Sequence, residues 1–393
     1  MRRTSNTSAA IAAALVLIIG MGFGRFAFTG LYPLMVSEGQ LTVDGGSYAA
    51  SANYAGYLAG ALLVGFLPAL SSRWMCLFAT ATTVLTLGAL GLPLPEWLII
   101  TVRGLAGISS AIAMVAASHW LIHDRQYASG APALFAGVGI GILVSAEMIA
   151  AGRWLAMGSG GIWVLLALAA LVLAVVSYVL MPQAGVPEMA APARTAPDRT
   201  ATASVPLPAG RLIAIYGLAG FGYIITATYL PLLVRGALGS VDPVHVWAVF
   251  GLGAIPSCFL WHAWHVRWGT RRSLMANLLV QAIGVGLPAI AHSPVAYLGS
   301  ALLVGGTFMG TVTIAMPAAR RVAGTVRFNM LAIMTAAYGV GQIIGPLVAN
   351  ALYARSQSFD ASLLLAALAL VVAAAGCLGS ETARSGKALK ELR

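Results

Sequence analysis

The chain has little charge. Asp, Glu, Lys and Arg make up only 8% of its 393 residues, whereas hydrophobic residues make up 60%. A soluble globular domain carries about 25% charged residues, so the composition excludes an ordinary soluble protein and predicts a chain embedded in a lipid bilayer. The formal net charge is +11, but the arginines stand between apolar runs and form no basic patch interleaved with aromatic residues. We therefore expect no nucleic-acid partner and interpret the arginines as signals of membrane topology.

Cysteine and catalytic motifs are scarce as well. Cys76, Cys258 and Cys377 lie far apart within apolar runs, and the sequence has no CxxC motif. This pattern is typical of buried apolar cysteines rather than of a disulfide or a metal site. The sequence also has no Walker loop, no GxSxG motif and no pair of catalytic acids. We expect no cofactor, no bound metal, no enzymatic activity and no ATP-driven pumping.

Long apolar runs dominate instead. About 20 mostly apolar residues cross the hydrocarbon of a bilayer, and the sequence has twelve such stretches, at 11–36, 47–70, 74–92, 97–121, 130–152, 160–181, 210–234, 244–266, 273–291, 295–317, 328–353 and 361–379. The segment between the sixth and seventh stretches is rich in Pro, Ala and Thr and is predicted to be a linker. We therefore predict an all-α membrane protein with 12 transmembrane helices: a six-helix bundle over 1–181, a cytoplasmic linker over 182–209 and a second six-helix bundle over 210–393.

The distribution of arginine predicts the orientation. With the N-terminus inside, the cytoplasmic loops collect most of the arginines, and the outer loops receive only Arg153, Arg235 and Arg355. Positively charged short loops stay in the cytoplasm. The distribution therefore predicts a multi-pass protein with both termini in the cytoplasm. We expect this protein to be a monomer in the bacterial inner membrane.

An internal repeat divides the sequence in two. The segment Gly22-Phe23-Gly24-Arg25 recurs 198 positions later as Gly220-Phe221-Gly222-Tyr223, and Gly107 recurs at the same offset as Gly305. Two related sets of six spans predict parallel halves about an axis along the membrane normal. Because the repeat replaces Arg25 with Tyr223, only the first half carries a cation at this depth.

Arg25, Thr29 and Tyr32 stand at i, i+4 and i+7 and share one face of the first helix. A charge at mid-bilayer costs about 3 kcal/mol or more, so we expect it to face the bundle interior or a wet cavity. The three side chains form a candidate site for a carboxylate or another small anion, which arginine binds in bidentate fashion. The alternative is a structural arginine that donates to helix carbonyls.

Other polar residues within the spans are further candidates. Asn53, Tyr57 and Tyr223 have side chains that hydrogen-bond a substrate or, equally well, a neighbouring helix. The same applies to Tyr54, and weaker candidates are Thr307, Thr311 and Gln342. Arg103 and Glu147 are expected at the same depth of two antiparallel spans. Their pairing would be either a static ion pair or a proton-coupling device. Both are open because a nearby arginine lowers the pKa of a carboxyl, whereas partial desolvation raises it.

The arrangement of the spans and three stretches of sequence resemble those of a known family. Two six-span halves with a long central loop resemble the major facilitator superfamily, and the stretches 24–35, 50–60 and 339–346 resemble its YbfB/YjiJ-type group. The resemblance implies spans one, four, seven and ten around a central cavity, with spans three, six, nine and twelve facing lipid. The run 103–107 resembles a fourth-span motif of the superfamily that is associated with proton coupling. The fifth span lacks the Gly-Pro of the antiporter motif, which weakens the case for export by proton exchange.

These observations predict a secondary active transporter that works by alternating access at a midplane site. The leading substrate class is a small organic anion, and the expected driving ion is the proton. A proton-driven exporter of amphiphilic drugs or sugars is the first alternative, since the sequence is rich in Met, Trp and Phe. A non-transporting receptor or scaffold is a second alternative, against which the charges within the spans argue.

Overall fold

The computed structural model describes residues 6–66, 71–181, 207–234, 239, 242–326 and 330–378. Within these residues the chain forms helices and no strands. The helical segments, in chain order, are α1 (Asn6–Ser37), α2 (Val43–Phe66), α3 (Ser72–Leu90), α4 (Glu96–Asp124), α5 (Ala131–Trp154), α6 (Ser159–Leu180), α7 (Ala209–Leu233), α8 (244–268), α9 (270–290), α10 (Pro294–Val322), α11 (Met330–Ser356) and α12 (Asp360–Ala375). Two of them contain π-helical stretches, Ile18–Phe26 in α1 and Trp120–Asp124 in α4.

Gly269 separates α8 from α9. Together with Gly269 the two segments cover 47 residues. As one straight helix these would be about 70 Å long, more than twice the roughly 30 Å of bilayer hydrocarbon. The chain breaks at Gly269, where φ is 74° and ψ is 173°. This conformation is open to glycine and strained for a residue with a Cβ. The break falls in the basic run that the sequence predicts to connect the eighth and ninth spans.

Nine helices in the described part of the chain are long and apolar enough to cross a membrane. That number treats α8 and α9 as one helix and omits α2 and the 16-residue α12. The polar residues of α2, among them Ser47, Ser51 and Asn53, are buried in the bundle and lower the mean hydropathy of that helix. The protein is a multi-pass membrane protein, and twelve stays the predicted number of spans.

The predicted linker lies almost wholly outside the described residues, which resume at residue 207, two positions before α7 begins at Ala209. The tail beyond residue 378 lies outside them too. The division of the chain into two six-helix units at 181 and 210 therefore stays a prediction. Below, residues 6–181 are called the first half and residues 207–378 the second half, by their position in the sequence alone.

The sequence repeat recurs as a repeated helix contact. A Cβ built on Gly107 of α4 would overlap the carbonyl oxygen of Asn53 in α2, and one built on Gly305 of α10 would overlap that of Phe250 in α8. The absence of a side chain lets the helix backbones touch at both places, as expected for small residues between membrane helices. Equivalent glycines thus pack the equivalent pairs of helices, α4 on α2 and α10 on α8, with contacted carbonyls that lie one residue apart in the register of the repeat.

The two halves meet along two seams. In one seam α2 packs against α11, and in the other α5 packs against α8. At the second seam a Cβ on Gly139 would lie 2.7 Å from the backbone nitrogen of Ile255, and a Cβ on Gly251 would lie 2.6 Å from that of Leu143. The repeat converts α2 into α8 and α5 into α11, so the two seams are related by the same symmetry. Around the outside, α3, α6, α9 and α12 carry rows of exposed large apolar side chains, as expected of helices that face lipid.

Candidate substrate-binding site

The π-helical stretch of α1 lies at the centre of the bundle. All nine residues of Ile18–Phe26 are buried. Glycines let neighbouring helices approach this stretch closely: a Cβ on Gly22 would overlap the backbone of Gly141 in α5, and one on Gly20 would lie 2.5 Å from the Cβ of Ala113 in α4. A π-helical turn inside an α-helix is frequent at functional sites. Arg25 is the only charged residue of this stretch.

Arg25 is 3% exposed. Its Nη2 donates a hydrogen bond of 2.9 Å to Oε1 of Gln342 in α11, and Nε2 of Gln342 donates to the hydroxyl of Tyr223 in α7. The guanidinium carbon lies 4.2 Å from the ring centroid of Tyr57 and 4.9 Å from that of Tyr54. Nε and Nη1 of Arg25 have no hydrogen-bond partner among the described residues. A guanidinium has five N–H donors, so most of this buried cation's hydrogen-bonding capacity is unused.

The candidates predicted from the sequence fall into two groups. Tyr57 and Tyr223 lie with Arg25, as described above. Thr29, Tyr32 and Asn53 instead donate to backbone carbonyls: Thr29 to Ala227 at 2.8 Å, Tyr32 to Val43 at 2.7 Å and Asn53 to Arg103 at 2.9 Å. The expected anion site with two hydroxyls on one face of α1 is therefore not formed, because those hydroxyls already hold neighbouring helices.

The contact of Thr29 marks the symmetry axis of the repeat. Thr29 and Ala227 are 198 positions apart, which is the offset of the repeat, so equivalent points of α1 and α7 touch each other. Residues related by a two-fold axis meet only close to that axis. Arg25 lies one helical turn from this point and therefore also lies near the centre, where a site shared by both halves is expected.

Arg103 is a structural arginine that donates to helix carbonyls, the role given above as the alternative for Arg25. It is 1% exposed, and its Nη1 and Nη2 donate to the carbonyl oxygens of Gly24 and Arg25 at 2.8 and 3.0 Å. Its guanidinium carbon lies 4.4 Å from the ring centroid of Phe28. Arg103 thus fixes the backbone at the end of the π-helical stretch and, through it, the position of Arg25.

The predicted pairing of Arg103 with Glu147 is not formed. Glu147 Oε1 lies 3.0 Å from Nδ1 of His245 in α8, and the Glu147 side chain is 50% exposed. The described residues show no ion pair between Arg103 and Glu147, since Arg103 is turned towards α1. Depth along two antiparallel helices can be estimated from a sequence, but the rotation of each helix about its axis, which decides where a side chain points, cannot.

Further contacts join the halves at the end of the bundle that holds residues 37–43, called the outer end here in line with the predicted topology. Arg153 and Asp242 form a forked ion pair with both N–O distances at 3.1 Å. The Tyr229 hydroxyl donates to Ser47 Oγ at 2.7 Å and lies 3.1 Å from the Pro346 carbonyl oxygen. Together with the Glu147–His245 pair, these contacts hold the two halves together on the outer side of Arg25.

Some neighbours of Arg25 can be predicted from the sequence, and others cannot. Gln342 is one of the weaker candidates from the sequence and Tyr54 one of the stronger, and both contact Arg25 directly. Tyr216, Tyr338 and Phe308 were not singled out, although they extend the aromatic surroundings of Tyr223. An isolated glutamine in an apolar span is a usable signal, because its amide needs partners there. Aromatic residues in membrane helices are too common to be one.

Comparison with known proteins agrees with this architecture. The family model described as "Uncharacterised MFS-type transporter YbfB" matches residues 17–378. No curated protein matches the chain in sequence. Among solved structures, a mutant form of the nucleoside transporter NupG superposes with a TM-score of 0.70 over 94% of this chain and 99% of that chain, at 14% identity, a likeness of fold alone. The chain belongs to the YbfB family of the major facilitator superfamily, and it is a secondary transporter.

Proposed function

We propose that this transporter carries a small organic anion and binds it at Arg25. The observation that supports the proposal is the guanidinium itself: a buried cation at the centre of the bundle, with Nε and Nη1 unpartnered among the described residues. Leaving a buried charge without a partner costs several kcal/mol. A carboxylate would offset that cost, because its two oxygens match the planar fork of N–H donors.

The same contacts suggest how binding is linked to movement. Arg25 belongs to the first half and its partner Gln342 to the second. An anion that takes over N–H groups of Arg25 would compete with Gln342 and weaken this link between the halves. Alternating access requires in addition that the outer contacts of Arg153 and Tyr229 separate, so the structure corresponds to the state that is closed at the outer end.

Proton coupling and topology belong to the same proposal. Glu147 joins the halves at the outer seam through its contact with His245. The proposed driving ion is the proton, and the Glu147–His245 contact across the outer seam is the proposed place of coupling. Arg103 would support the site through the backbone of α1 rather than by exchanging protons. The proposed location is the bacterial inner membrane, with both termini in the cytoplasm.

Uptake into proteoliposomes tests the proposed substrate class. Purified protein is reconstituted, and the uptake of radiolabelled carboxylates, sugars and amphiphilic amines is compared with uptake by empty liposomes. We expect uptake of at least one carboxylate, its loss in Arg25→Gln and its retention in Arg355→Gln, which removes an exposed arginine at the outer end of α11. Uptake of amines alone, unchanged in Arg25→Gln, would contradict the proposal and favour drug export.

A further inference from the structure

Aromatic rings surround Arg25 from both halves. From α2, the rings of Tyr54 and Tyr57 lie over the guanidinium. From the second half, four rings form a continuous stack that reaches the Gln342–Arg25 network through Tyr223. Successive centroids of this stack are 4.4, 5.7 and 5.6 Å apart in the order Tyr216, Tyr338, Tyr223 and Phe308.

Two of these tyrosines are only partly buried as residues. Tyr57 and Tyr338 are only partly buried, whereas Tyr54, Tyr216 and Tyr223 are buried. Tyr57 and Tyr338 come from opposite halves but lie at the same place in the seam, because the residues that follow them are in contact: a Cβ on Gly339 would lie 3.2 Å from the Cβ of Leu58. Each half therefore contributes one partly buried tyrosine near the cation: Tyr57 beside Arg25 itself, and Tyr338 beside Tyr223.

We propose that the anion bound at Arg25 is an aromatic carboxylate, whose ring lies against Tyr57 and Tyr338. This inference rests on the proposed function and narrows its substrate class. The carboxylate accepts hydrogen bonds from the unpartnered nitrogens of Arg25, and the ring contacts the tyrosines in offset-stacked or edge-to-face geometry. An acetate-sized anion would reach the guanidinium but leave both rings without a ligand contact.

The charge of Arg25 argues against an organic cation as the ligand. Rings arranged around a pocket often bind organic cations through their π faces. Here the guanidinium itself occupies the faces of Tyr54 and Tyr57, at 4.9 and 4.2 Å. A second cation would be repelled by the charge of Arg25, whereas an aromatic ring can still contact the edge or the opposite face of Tyr57.

Three probes separate the ring from the charge. Benzoate has both, cyclohexanecarboxylate has a carboxylate on a saturated ring of similar size, and benzamide has the aromatic ring without the charge. Binding is followed by ligand-induced thermal stabilisation of the purified full-length protein. We expect benzoate to bind about two- to tenfold more tightly than cyclohexanecarboxylate, the factor expected from one aromatic contact. Benzamide is expected to bind far more weakly than either acid.

The outcomes distinguish the inference from the function on which it rests. If cyclohexanecarboxylate binds as tightly as benzoate, the aromatic inference is wrong and the anion site stands. If benzamide binds as tightly as benzoate, the anion site itself is wrong. A response to acetate without a response to benzoate also overturns the aromatic inference.

Substitutions at Tyr57 locate the effect. Tyr57→Phe keeps the ring and is expected to keep the preference for benzoate, whereas Tyr57→Leu is expected to reduce it towards equal binding of the two acids. Tyr48→Leu is the matched control, because Tyr48 lies on the same helix and is 50% exposed; it is expected to change nothing. An unchanged preference in a folded Tyr57→Leu protein, together with an unchanged preference in Tyr338→Leu, would refute the assigned ring contacts.

Discussion

Arg103 is expected to be a major source of stability for the centre of the bundle, and Arg103→Gln tests this. The arginine donates to the carbonyls of Gly24 and Arg25 at 2.8 and 3.0 Å. A hydrogen bond from a charged donor contributes about 1.5–3 kcal/mol, so the two set an upper bound of about 6 kcal/mol. The substitution also relieves the burial of a charge whose Nε is unpartnered among the described residues, which offsets part of the loss. We expect a net loss of about 3 kcal/mol for Arg103→Gln and about half of that for Arg103→Lys.

The assay is the ligand-free melting temperature in detergent, followed by the response to carboxylates. Because Arg103 fixes the carbonyl of Arg25, a folded Arg103→Gln protein should respond less to an anion than the unsubstituted protein does. The double variant with Glu147→Gln adds a second criterion. The two residues have separate partners, so their effects on stability should add to within about 0.5 kcal/mol.

Two results would refute this reasoning. One is an Arg103→Gln protein that melts like Arg355→Gln, the exposed control. The other is a coupling energy well above 0.5 kcal/mol between Arg103 and Glu147, which would restore the ion pair expected from the sequence.

Two further predictions concern the seams and the glycine contacts. Arg153→Gln removes the forked ion pair with Asp242. Since this pair is partly exposed, its loss should favour the outward-open state by at most about 1 kcal/mol. In a protein that also carries Ser47→Cys, labelling by an impermeant maleimide should therefore rise up to about fivefold. Unchanged labelling would contradict a role in closure. Gly22→Ala should destabilise the protein by about 1–3 kcal/mol through overpacking, whereas Gly88→Ala, with no neighbouring atom within 4 Å of the new Cβ, should be neutral; equal melting temperatures would contradict the close approach of α1 and α5.

The sequence predicted the helices and their repeat because both leave local signals. Apolar runs of span length, the proline- and alanine-rich segment after residue 181, and the offset of 198 between Gly107 and Gly305 are all visible in one chain. The equivalent contacts of those two glycines confirm the repeat. The π-helical stretch of α1 was not predicted, because it depends on how α4 and α5 approach Gly20 and Gly22 from outside the helix.

The candidate site was predicted in part, for the same physical reason. A lone arginine in an apolar span needs a partner or a ligand wherever it lies, so Arg25 stood out. Thr29 is also a candidate from the sequence, but a hydroxyl is satisfied by any nearby carbonyl, and in the structure Ala227 supplies one. The partners of Arg103 and Glu147 depend on helix rotation, which apolar runs of nearly uniform hydropathy do not specify.

The central claim is that Arg25 is the anchor of an anionic substrate. It is tested most directly by the thermal stabilisation that benzoate and acetate produce in the unsubstituted protein, Arg25→Lys, Arg25→Gln and the control Arg355→Gln. Arg25→Lys keeps the charge without the fork and should bind more weakly, and Arg25→Gln should lose about 2–5 kcal/mol of binding free energy, while the control responds normally. A well-folded Arg25→Gln protein that both acids stabilise as much as they stabilise the unsubstituted protein would contradict the account.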